Sequence, residues 1–438
     1  MNKMQQLKSW KRFGLLLVLG LCLSWGVSCS TPSPTSQNGK QEVEFWTMQL
    51  QPQFTDYFNQ LIANFETENP EIKVKWVDIP WSAMESKVLA AVAAKTAADV
   101  INLNPDFAAL LAGRNAWLNL NEMVPETVQS QYLPNIWQAN KIDVCPNNKC
   151  ETVTFGIPWY LTTQLTIYNQ QLLQQAGINQ PPKTYRELAK VAAQVKEKTG
   201  KYAFFVSFVP EDSAQVLQSL VQMGVVLLDK DGKAAFNTPE GKAAFEYWVN
   251  LFQKDLLPKE VLTQGHRRAI ELYQAGEIAL LTSGPQFLKA IGQNAPTVAK
   301  VSVPAPQITG DTRKTTVAVM NLVMPKSTNV PEQSLKFALF VTNSTNQLAF
   351  AKAANVLPSI QDALKDSHFT TLPANSTVAD QARLISAAEL KNAQVLIPPK
   401  KDIKQLQKII YDNLQAAMLN QKTVDQAIAD AEKSWNER

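Results

Sequence analysis

Apolar residues recur along this chain in two rhythms. Phe54, Tyr57, Phe58, Leu61, Ile62 and Phe65 are spaced by three and four, which lays one stripe on a helix. Asn69-Pro70 ends that helix, and "IKVKWV" (72–77) then alternates apolar and basic residues as a strand does. "VEFWTM" (43–48) before it predicts a strand. After it come a helix over roughly 82–95 with Met84, Val88, Leu89 and Val92 inward, a strand "ADVINLN" (98–104), and a short helix over 105–113. Strands alternating with helices predict right-handed crossovers and a largely parallel sheet, with ligands at the carboxyl ends of the strands. The loops at 48–53, 80–82 and 102–106 are then the places to look for a site.

A second α/β region follows. "TQLTIYN" (163–169), "YAFFVSF" (202–208) and "EIALLTS" (277–283) read as strands, and 225–237 as a hairpin around Asp231-Gly232. Helices are expected at 170–176, 184–199, 239–253 and 266–275, with Thr184 and Glu187 spaced as a capping box. Beyond a strand at 317–324, helices at 331–342 and 344–354 precede "VLPS" (356–359). Two helical stripes close the chain: Leu406, Ile409, Ile410, Leu414, Met418, then Val424, Ile428, Ala431, Trp435. No internal repeat is visible.

The first residues depart from these rhythms. Lys3, Lys8, Lys11 and Arg12 come without an acid, and "FGLLLVLGLCLSWGV" after them is too short to span a bilayer comfortably. Basic, apolar and small residues in that order read as an export signal over 1–28. "GVSC" matches the bacterial lipobox in part, with Gly26 where that pattern prefers leucine; acylation of Cys29 and ordinary cleavage nearby are the alternatives. Residues 29–40, rich in Ser, Thr, Pro and Gln, then form a flexible tether holding a folded body near a membrane.

Charge follows from that reading. Taking the four basic residues of 1–28 from the 42 in the chain leaves 38, against 38 acidic. The balance makes no electrostatic case for nucleic acid. The roughly 410 residues that remain suffice for two domains. Cys145 and Cys150 in "CPNNKC" read as a local disulfide outside the cytoplasm, with zinc as the rival. Asp229-x-Asp231-Gly232 fails the calcium-loop spacing, because Lys233 and Ala234 occupy the next ligand and glycine positions. No metal or cofactor is expected.

Motifs of covalent catalysis are missing: no G-x-S-x-G, no phosphate-cradling loop, no H-E-x-x-H, and histidine only at 266 and 368. A pair of carboxylates could still meet in space, so a secreted acid-pair glycosidase is the enzyme alternative. Flat aromatic surface is plentiful near the expected loops, at Trp46, Trp81, Trp159, Tyr160 and Phe208. Such rings stack on the C–H faces of sugars, while Gln49, Asn104, Asp106 and Gln286 are available for hydroxyls.

"FETENPEIKVKWVDIPW" followed by "KVLAAVAAKTAADVINL" resembles the first lobe of family 1 extracellular solute-binding proteins of ABC importers. "FGIPWYLTTQLTIYNQQLLQQAGI" with "PPKTYRELAKVAAQV" resembles that family's crossover, and "LYQAGEIALLTSGPQFL" and "ANVLPSIQDAL" resemble its G-P-W and L-P-S segments. The likeness covers nearly all of 41–438. It implies an α/β, two-lobed periplasmic-binding-protein-like fold, each lobe a mostly parallel sheet flanked by helices. The implied first lobe is 41–158 with 305–355, and the second 159–304 with 356–438, with crossings near 157–159, 304–306 and 356–358. The implied function is non-enzymatic: a monomer captures a sugar, polyol or glycoside in the cleft and delivers it to membrane permease subunits. The same fold serving a non-sugar solute is a further alternative. Two departures bear on the ligand: Gln286 stands where the family often has tryptophan, and "VAVMN" (317–321) where a Gly-Gly is frequent. Both leave the ligand's identity open, with a smaller or more polar ligand than a linear oligosaccharide among the alternatives.

Overall fold

A computed structural model describes residues 40–145, 150–397 and 402–438. The expected signal, Cys29 and nearly all of the tether lie outside the described residues. Residues 42–438 form one compact unit. Its strands are β1 (Gln41–Met48), β2 (Ile72–Ile79), β3 (Val100–Leu103), β4 (Lys141–Val144), β5 (Glu151–Thr154), β6 (Ile157–Thr163), β7 (Leu165–Asn169), β8 (Leu280–Ser283), β9 (Ser302–Ala305), β10 (Thr315–Val323), β11 (Leu357–Pro358) and β12 (Ala393–Gln394). One sheet has the order β11-β6-β10-β3-β1-β2, with β12 paired to β10; a second has the order β8-β7-β9. β4 and β5 make a separate antiparallel pair, whose ends Cys145 and Cys150 are disulfide-bonded.

Interior strands of both larger sheets run against their neighbours, and in the first sheet β6 is antiparallel to both β10 and β11. β1 and β3 are parallel, but β10 is antiparallel to both β3 and β6. β7 is antiparallel to both β8 and β9. The reason is connectivity. β6 passes directly into β7 through Gln164, and β9 reaches β10 through residues 306–314. A strand entered from the other sheet, with no helical crossover, starts at the shared edge and runs away from it. So β1, β3 and β6 end at the shared edge, as do β8 and β9, while β7 and β10 begin there.

Alternation along β1 divides the first core. Val43 and Phe45 face the helices Thr55–Glu68, Pro331–Val341 and Ser344–Ala354. Trp46 and Met48 face the helices Trp81–Ala94 and Pro105–Ala112. The second sheet is enclosed by a separate core that includes both C-terminal helices, Ile403–Met418 and Val424–Asn436.

Three local expectations need correction. "YAFFVSF" makes only a single bridge, Tyr202 to Ile278; Ala203 through Phe208 are all buried inside the second core without forming a strand. The 225–237 hairpin shrinks to one bridge, Leu228 to Ala234. There Asp229 accepts from the N–H groups of Asp231 and Lys233, which tightens the turn at the expense of the ladder. Thr184 caps its helix through the Glu187 N–H, but the Glu187 carboxylate reaches the Lys183 N–H, so the box is displaced by one residue.

Candidate binding cleft

The shared edge is organised by a residue the sequence reading passed over. Asp78, near the end of β2, accepts from the Thr47 hydroxyl at 2.6 Å and from the Leu50 and Gln51 N–H groups at 2.9 and 3.0 Å. The Trp76 indole donates to the same Thr47 hydroxyl. This fixes the loop after β1. In that loop Gln49 takes a left-handed conformation, and its side-chain oxygen accepts from the Trp81 N–H. An acid at the end of an alternating strand, next to a loop with free N–H groups, was the available signal. Asp78→Ala removes three charge-assisted bonds at once and is expected to cost about 2–3 kcal/mol, read as a lower urea midpoint.

Two chambers open along the shared edge. The first, about 730 Å³, is lined by Leu50, Phe54, Tyr160, Phe350, Leu288 and Ile291 among others. The second, about 330 Å³, is lined by Asp106, Thr163, Ser213, His266, Lys404 and Gln407 among others. Thr162 and Gln286 line both. Each chamber draws on residues that follow the carboxyl ends of strands in both sheets, as the topology requires.

The smaller chamber is rich in hydrogen-bonding groups. His266 donates its backbone N–H to Asp212 and sets its Nε2 3.3 Å from the Ser283 hydroxyl. Burial lowers its pKa, and the nearby Asp212 carboxylate offsets part of that, so the neutral ring is favoured. The hydroxyls of Thr163 and Ser213 are buried without a partner among the described residues. Asp106, from the first sheet's edge, lies 3.8 Å from Lys404 of the helix Ile403–Met418. Both side chains are more than half exposed, so the pair is a weak tie.

Of the residues expected at the site, Asp106, Tyr160 and Gln286 line the chambers. Asn104 caps the helix Pro105–Ala112 by accepting from the Phe107 N–H. Trp81 stands 51% exposed at the start of its helix. Trp46 is buried, with its indole on Glu44 and Lys87 over its ring. Trp159 and Phe208 are corrections to the expected stacking surface. Trp159 is 1% exposed and stacks on Phe350 at 4.9 Å. Phe208 is fully buried beside Trp248 and Tyr411. Neither offers a ring face to the cleft. Thr162, Thr163 and Gln407 carry no periodic signal in the sequence, and His266 enters the sequence reading only as one of two histidines.

Two α/β lobes, joined by direct strand-to-strand crossings around an edge cleft, define a binding-protein architecture. The family model for bacterial extracellular solute-binding proteins matches residues 51–348, and the chain belongs to that family. A structure from Synechococcus sp. MITs9220, of a periplasmic-binding protein assigned to oligosaccharides only provisionally and solved in complex with zinc, is 44% identical. The match covers 90% of this chain and 98% of that one, with a TM-score of 0.82. A maltose-bound binding protein of T. maritima shares the fold at 20% identity and TM-score 0.68, over 90% and 98% of the two chains. The mannitol-binding protein of Pseudomonas aeruginosa is 20% identical over 84% of this chain and 87% of its own. Among the described residues no group of three or more His, Cys, Asp or Glu side chains could hold a metal ion. No helix among them is long and apolar enough to cross a membrane.

Proposed function

We propose that this chain captures a sugar or sugar-like solute, a polyol or glycoside, between its lobes and delivers it to the permease of an ABC importer. The observation that carries this reading is the smaller chamber, where Asp106, Thr162 and Thr163 from one lobe face Ser213, His266 and Ser283 from the other. A ligand touching both sets holds the lobes together, because it makes more contacts in the closed form than in the open one. The lobes in this reading are 41–163 with most of 315–358, against 165–305 with the C-terminal helices, so the first change of lobe falls at Gln164. Cys29 carries the lipid anchor, the body stands as a monomer at the outer face of the plasma membrane, and the Cys145–Cys150 bond persists in that oxidising setting.

A thermal-shift screen of sugars, polyols, amino acids and polyamines tests it. A saturable rise in melting temperature with sugars or polyols, with the ligand recovered intact, is the expected result. A shift given only by amino acids or polyamines would overturn the sugar reading. Cys29→Ser should move the exported protein from the membrane fraction to the soluble one.

A further inference from the structure

Resting on that reading, the geometry points to an amphiphilic ligand: a glycoside whose sugar head occupies the smaller chamber and whose apolar aglycone or alkyl chain occupies the larger one. The two chambers share a wall, and polar side chains make up more of the smaller one's lining. Among the described residues the smaller one offers hydroxyls, amides, the His266 ring, the Asp106 carboxylate and the Lys404 ammonium. At about 330 Å³ it suits one or two sugar units.

The larger chamber is more than twice that size, and its lining is mostly carbon: Leu50, Phe54, Leu288, Ile291, Phe350 and Val378. Two of its polar side chains are already committed. Ser302 is engaged by Tyr273 and Val298, and Thr377 closes the capping box of the helix Val378–Glu389. Among the described residues Lys289 is the only charged side chain in the lining, and it is exposed. A second stretch of sugar would meet Gln53, Tyr160, Thr162, Gln286 and Asn355 there, fewer polar side chains than line the smaller chamber. An alkyl or aryl group loses nothing and gains burial.

Gln286 stands at the join. Its amide folds back over Gly284, so closely that a Cβ on Gly284 would lie 2.1 Å from Gln286 Oε1. Only glycine at 284 allows this fold-back. The amide is the flexible end of an exposed side chain, so it can swing to let one molecule span both chambers. A tryptophan at 286 would make that wall rigid and broad; a glutamine makes it a movable one.

The test uses the purified full-length chain and pairs of methyl and n-octyl glycosides of glucose, galactose, mannose and maltose. Affinities are measured by calorimetry below the micelle threshold. A fully buried methylene tightens binding about fourfold, so partial burial of an octyl chain should give at least about thirtyfold over the methyl glycoside of the same sugar. Ala353→Trp, at an exposed helix position in the larger chamber, should abolish that gain without lowering the melting temperature. Equal affinity of methyl and octyl glycosides would overturn the inference while leaving the sugar reading intact. A chain-length gain that survives Ala353→Trp would overturn it as well, because the alkyl group would then lie elsewhere. Failure of every glycoside and every free sugar would overturn both.

Discussion

Replacing Trp159 by alanine is expected to cost about 3–5 kcal/mol of folding free energy. The indole is 1% exposed and sits at the centre of an aromatic cluster. Phe350 stacks on it at 4.9 Å, Tyr160 meets its edge at 5.1 Å, and Phe58 and Phe45 lie 5.9 and 6.3 Å away. This cluster joins β6 to the helices Thr55–Glu68 and Ser344–Ala354. Removing the ring leaves a cavity that these rigid neighbours cannot fill by rotating a single side chain. The indole N–H has no hydrogen-bond partner, so no polar contact is lost to complicate the measurement. Urea unfolding followed by far-UV circular dichroism reads the loss as a lower midpoint with little change in slope. A variant that unfolds like the parent, yet binds ligand more weakly, would show the ring working from the cleft instead.

That same residue marks the limit of what the chain reveals before it is folded. The stripe from Phe54 to Phe65 fixes a helix and its buried face, and the structure has that helix at Thr55–Glu68. The alternation in "IKVKWV" likewise predicts a strand, present as β2. What periodicity does not supply is where a strand stops. The sequence reading places a crossing at 157–159, which would put Trp159 at the rim. β6 instead runs on to Thr163 before the chain changes sheets at Gln164. Those extra residues move the cleft edge from Trp159 to Thr162 and turn an expected platform into a core side chain. "YAFFVSF" fails for a related reason: a segment buried on all sides has no polar face to reveal whether a partner strand lies beside it. Asp106 and Gln286 were legible because each follows a strand end directly.

The second large effect is expected in the pH dependence of stability, and it originates where the crossings meet. Glu389 ends the helix Val378–Glu389, and both its carboxylate oxygens lie within reach of the Gln307 N–H, at 3.3 and 3.2 Å. The Gln307 side chain donates to Gln164, in the first crossing, and accepts from the Thr316 N–H at the start of β10. One carboxyl therefore supports a node that ties two crossings together. Burial raises its pKa from 4.5 to about 7, with the Gln307 N–H opposing part of that rise. The folded state thus holds this proton more tightly than the unfolded state does. Its stabilising contribution is complete below about pH 4.5 and is lost as pH rises through about 7. Allowing for partial solvent contact, the loss amounts to about 2–3 kcal/mol. Glu389→Gln keeps an acceptor for the Gln307 N–H and cannot ionise. It should match the parent in urea at pH 4.5, exceed it by that amount at pH 8, and lose the parent's downward slope between. Parallel pH profiles for the two proteins would show that Glu389 does not titrate in this range, and that the crossings are held independently of its charge.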